Sequence, residues 1–112
     1  MDGTLAHYTR WGNLLEFGEP VIVMVERVKQ WLREGQEVRI LTARMAPPFY
    51  PRHLTAYDVA QAVGDWTEQH VGQRLAATCS KDMGMIELWD DRCVQVEANT
   101  GEPVTYWVSR IK

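Results

Sequence analysis

The sequence predicts an α/β domain built on a parallel sheet. Two observations predict it. Short apolar runs of strand length alternate with two segments of helical period. Thr42, Lys81, Asp90 and Asp91, the residues best suited to chemistry, each fall at or just beyond the carboxyl end of such a run. Ligands of parallel α/β sheets gather at those ends, so residues distant in sequence are brought to one crevice.

Glu19-Pro20 opens the first helix, since proline suits a first turn, and Val21, Met24, Val25, Val28, Trp31 and Leu32 repeat at helical spacing before Gly35 closes it. Val38 to Thr42 reads as a short buried strand, rich in β-branched residues. Met45 to Pro51 holds Pro47, Pro48 and Pro51 and is a loop. A second helix runs from about Thr55 to Val71, with Val59, Ala62, Val63, Trp66 and His70 on or near one face and Gly72 beyond its end. Leu75 to Cys79 and Met85 to Trp89 read as strands, with Lys81 in the link between them. Cys93 to Glu97 and Val104 to Val108 flank Asn99-Thr100-Gly101 as a closing hairpin.

The 112 residues suffice for one domain, 1–112, and for one core. A net charge of −3 with mixed signs provides no broad basic field for nucleic acid. No apolar run approaches the roughly 18 residues of a membrane span and no signal peptide is visible, so a cytoplasmic location is expected. Cys79 and Cys93 lie in apolar runs and read as small buried hydrophobes, and no Cys/His cluster offers a zinc site. His7, His53 and His70 carry no pattern that points to chemistry, whereas Tyr50, Tyr57 and Trp66 lie near the stretch where a substrate would rest.

Four motifs in order carry the functional signal: Met1-Asp2-Gly3-Thr4-Leu5 at the start, Thr42 after Val38-Arg39-Ile40-Leu41, Lys81 after the next apolar run, and Asp90-Asp91 after Glu87-Leu88-Trp89. Together they resemble the motifs of the haloacid dehalogenase-like hydrolases, and the resemblance covers nearly the whole chain. It implies a three-layer, Rossmann-like parallel sheet and a Mg²⁺-dependent phosphomonoester hydrolase that works through an aspartyl-phosphate. It also implies the roles. Asp2 would be the general acid and base, its backbone carbonyl a metal ligand; Thr42 would donate to a phosphoryl oxygen; Lys81 would hold the charge of nucleophile and phosphate; Asp90 would ligate Mg²⁺ directly, with Asp91 close to the ion or its waters. A phosphate dianion repels an attacking carboxylate unless cations and donors neutralise it, which is why the chemistry needs this combination. Arg44, two residues past Thr42, is a candidate bidentate phosphate contact.

One position departs from that pattern. The family's nucleophilic aspartate, and the central strand that leads into it, would precede Met1. A chain from Met1 is therefore expected to be inactive by the family mechanism and to leave sheet edges open, with a possible homo-oligomer as one consequence. His7 to Gly18, and the stretch from Thr42 to Lys81, leave no room for a separate cap domain, so an open site would admit a phosphorylated substrate as bulky as a polynucleotide end or a phosphoprotein as well as a nucleotide or sugar phosphate. Two other readings stand beside this one: a non-catalytic phosphate-binding or regulatory domain, and an unrelated small α/β protein.

Overall fold

A computed structural model describes residues 1–8 and 13–104. Among these, the chain is α/β: helix α1 (Ile22–Arg33), strand β1 (Ile40–Leu41), a 3-10 turn (Ala43–Met45), helix α2 (Ala56–Val71) and strand β2 (Ala77–Thr78). β1 and β2 pair in parallel, Ile40 opposite Ala77 and Leu41 opposite Thr78.

α2 follows its local sequence closely. Thr55 accepts a hydrogen bond from the Asp58 backbone while the Asp58 carboxylate receives the Thr55 N–H, a reciprocal capping box. Gly72 ends the helix in the left-handed conformation, φ 93°. Val59, Val63 and Trp66 face the core, and Thr67 is fully buried among them. Its hydroxyl donates to Gly64 O and accepts from Leu75 N, joining α2 to the entry of β2. Met24, Val25 and Val28 of α1, with Leu5, Ala6, Leu14 and Ile40, complete the core.

Several elements differ from the sequence expectation. α1 begins at Ile22, and Pro20 stays outside it. The cause is pairing: His7 N donates to Glu19 O and Val21 N to Leu5 O, so residues 19–21 are held extended against the first residues of the chain. Both strands are shorter than the apolar runs that contain them. Met85 to Trp89 forms no strand among the described residues, because a strand exists only by pairing and no described neighbour supplies a ladder to it. Cys79 and Cys93 are exposed, not buried, since Cys79 follows the end of β2 and Cys93 lies in irregular chain. The hairpin is present at its closed end, where Val96 bridges Pro103 and Glu97 N donates to Glu102 O; most of Val104 to Val108 lies outside the described residues. No helix among the described residues is long and apolar enough to cross a membrane.

Candidate phosphoryl site at the sheet end

The chain starts beside β1. The Met1 ammonium donates to Leu41 O at 3.2 Å, on the side of β1 opposite β2. That contact delivers the tight turn of residues 2–5 to the carboxyl end of β1, closed by Leu5 N and Ala6 N on Met1 O. Gly3 has φ +79°, and a Cβ there would come 2.5 Å from Asp91 Oδ2. Glycine is thus required twice, by the turn and by the carboxylate lying against it. Asp91 N in turn donates to Thr4 Oγ1 at 3.2 Å. Asp90 Oδ1 accepts from Arg92 N, shaping the turn that carries both carboxylates.

Thr42 is buried, its hydroxyl accepting from Arg44 N as the cap of the 3-10 turn. That bond bends the chain sharply after β1 and aims Arg44 back at Asp2. The guanidinium makes a two-pronged ion pair: Nε to Asp2 Oδ2 at 2.8 Å and Nη2 to Asp2 Oδ1 at 2.9 Å. Its Nη1 donates to Asn13 O and Glu16 O, and its plane stacks on Phe17 at 4.3 Å. Arg44, expected as a bidentate phosphate contact, is thus a buried partner of Asp2 whose guanidinium is engaged by that carboxylate and two backbone carbonyls. Sequence reasoning placed both residues at the site but not this pairing, because no local pattern links positions so far apart.

Of the expected site residues, Asp2, Thr42, Arg44 and Asp91 come together. Lys81 follows β2 at the same end of the sheet, but its side chain is exposed and makes no contact with Asp2 or Thr42 among the described residues. Tyr50 donates to Met45 O and Trp66 Nε1 to Gly18 O, so both brace loops; Tyr57 points to solvent.

Burial lowers the pKa of the Met1 ammonium from the ordinary 8.0, partly opposed by the negative charges of Asp2, Asp90 and Asp91. The sign is definite: between the lowered value and 8.0 the unfolded chain holds the proton more tightly, so stability rises with pH across that window. Urea denaturation on either side of it should show the rise, and Nα-acetylation should remove it. Equal pH dependence in the two proteins would mean that the amine is solvated.

The same charges decide what the donor set can hold. The Asp2 carboxylate is engaged by Arg44, no group of three metal-binding side chains converges among the described residues, and the Met1 ammonium already lies in the field of all three aspartates. Asp90 and Asp91 are the carboxylates that would hold a Mg²⁺ ion here, opposed by the Met1 ammonium in their field. The chain matches no family model, no curated protein and no solved structure.

Proposed function

We propose that this chain is the phosphate-handling core of a capless phosphomonoester hydrolase of the haloacid dehalogenase-like type, with a three-layer sheet whose central strand and nucleophilic aspartate belong directly ahead of Met1. The observation that carries the reading is the meeting of three motifs at one end of a parallel pair: the turn of residues 2–5, Thr42 after β1, and Asp91 against Gly3 and Thr4. Thr4 and Asp91 are 87 positions apart in the chain, and nothing local draws them together.

In this reading Asp2 moves the proton, giving it to the leaving oxygen and later taking one from water. Arg44 is its positioning residue. The guanidinium occupies one lone pair on each carboxylate oxygen, and each oxygen keeps another for the proton. Thr42 and Lys81 are the donors to phosphate, Lys81 by swinging inward from its exposed position. Catalysis in this reading requires the aspartate ahead of Met1, and the Met1 ammonium on Leu41 O marks the place from which it would act.

Mg²⁺ belongs to this reading only when the set is completed. Calorimetry should give weak Mg²⁺ binding by the chain from Met1, and tighter, saturable binding once an apolar strand ending in aspartate is added before it. The Asp90→Asn/Asp91→Asn variant of the extended protein should lose that binding. An identical Mg²⁺ response in the extended protein and its double variant would sink the assignment of the carboxylates.

A further inference from the structure

Both helices start at the end of the sheet that carries the candidate site. α1 leads into β1 and α2 into β2, so each runs against its strand and begins at the carboxyl end. Val21 N, at the cap of α1, donates to Leu5 O of the turn that follows Asp2. α2 follows the loop that leaves Thr42, and the two helices lie in contact with each other. Their first turns carry large apolar side chains in solvent: Ile22 and Val23 on α1, 64% and 69% exposed, and Tyr57 on α2, 68% exposed. Phe49, 81% exposed, stands on the loop between Thr42 and α2. The groove beside β1, floored by Met24, Val28 and Trp31, is a separate feature and takes the strand ahead of Met1 in the reading above.

The opposite end of the same helices differs. Glu34, Gln36 and Glu37 follow α1, Gln73 and Arg74 follow α2, and no large apolar side chain is exposed there among the described residues. Single exposed apolar residues are ordinary, but their gathering at one end, the end that carries the site, marks a binding surface. The loop that bears Phe49 is also held in shape. Pro47, Pro48 and Pro51 fix their backbone angles, and the Tyr50 hydroxyl donates to Met45 O at 2.6 Å. A loop already ordered loses less freedom when a ligand docks on it.

Charge and side-chain type select the ligand. At this end the cations Arg52 and Lys81 are outnumbered by Glu16, Glu19, Asp90 and Asp91, so no cationic track follows a polynucleotide backbone among the described residues. Ile22 and Val23 have no ring on which a base could stack, and a sugar phosphate would leave all four apolar side chains unused. We infer that the first turns of α1 and α2, with Phe49, dock a phosphorylated protein segment whose apolar side chains flank the phosphoresidue. An extended chain advances about 3.3 Å per residue, so side chains two to four positions from the phosphoresidue land about 7–13 Å to either side of it, the scale set by two packed helices about 8–10 Å apart. Entry of the phosphoresidue beside Thr42 rests on the phosphoryl reading; the docking of its neighbours rests on the exposed side chains.

The test titrates the whole chain into labelled synthetic peptides, with fluorescence anisotropy as the readout. Gly-Leu-Phe-pSer-Leu-Ile-Gly should bind saturably and about tenfold more tightly than Gly-Ser-Gly-pSer-Gly-Ser-Gly. Ile22→Ser/Val23→Ser and Phe49→Ser/Tyr57→Ser, all at exposed positions, should keep the wild-type circular dichroism and each shrink that preference severalfold, leaving the polar-flanked phosphopeptide unaffected. Equal affinity for the two phosphopeptides, or a preference that survives both variants, overturns the inference and leaves the phosphoryl reading standing. If the apolar peptide binds equally well without its phosphate, and still loses affinity in the variants, the docking surface is upheld and the phosphoryl reading falls. Tighter binding of a 5′-phosphorylated single-stranded oligonucleotide overturns the inference in favour of nucleic acid, and failure of every peptide to bind overturns it outright.

Discussion

A chain extended by an apolar strand ending in aspartate directly before Met1 is expected to hydrolyse a generic aryl phosphate, whereas the chain from Met1 is not. The extension converts a buried ammonium into a peptide amide, fills the edge of β1 at Arg39 and Leu41, and gives Met85 to Trp89 a partner. Its aspartate arrives within the field of Asp90 and Asp91, so nucleophile and metal ligands are completed together. Thermal unfolding should move up at the same time, since the added strand covers an apolar floor now open to water. Replacing the added aspartate by asparagine separates the two effects: stability should stay and hydrolysis should disappear. Within the active extended protein, Thr42→Val and Lys81→Ala should each lower kcat by about 10²–10³, the range for loss of one donor to a developing oxyanion. Hydrolysis by the chain from Met1, or full activity in the asparagine form, would place the nucleophile elsewhere. Retained activity in the Thr42 or Lys81 variant would remove that residue from the site.

Arg44→Ala should be the most damaging single substitution for the fold. The guanidinium side chain is only 5% exposed and bonds Asp2, Asn13 O and Glu16 O. Its removal leaves Asp2 unpaired and strips two backbone carbonyls of their donor. Breaking a buried pair from one side costs about 3–5 kcal/mol, against a total stability of order 5–15 kcal/mol for a domain. Urea unfolding monitored by circular dichroism should find the variant largely unfolded or close to it. Asp2→Ala/Arg44→Met should be milder than Arg44→Ala, since neither unpaired charge remains, though the carbonyls of Asn13 and Glu16 stay unserved. If Arg44→Ala unfolds at the wild-type midpoint, the ion pair contributes nothing and Asp2 is held by the turn alone.

What could be read from the sequence divides along physical lines. α2 was legible to within a residue because Thr55, Asp58 and Gly72 act on their own neighbours. α1 was legible in its apolar spacing but not at its start, since the pairing of Leu5 and His7 with Val21 and Glu19 decides where the helix begins. Met85 to Trp89 has the composition of a strand, yet composition cannot provide the neighbour that makes one. Near β1's carboxyl end, the turn of residues 2–5, Thr42 and Asp91 were singled out by their order along the chain, and the fold brings them close together. The Asp2–Arg44 pairing was beyond reach, because it depends on how sharply Thr42 bends the backbone.

The buried hydroxyl of Thr67 has a bearing on how this domain can vary. By accepting from Leu75 N while donating to Gly64 O, it pins the end of one helix to the start of the next strand across the connection at Gly72, Gln73 and Arg74. That connection works as a gauge block. An extra residue in it would pull Leu75 off the hydroxyl and leave two polar groups stranded in the core, and a missing one would not reach. Length changes should therefore be tolerated in exposed turns such as the one at Met83 and Gly84, where both residues lie in solvent, and refused between α2 and β2.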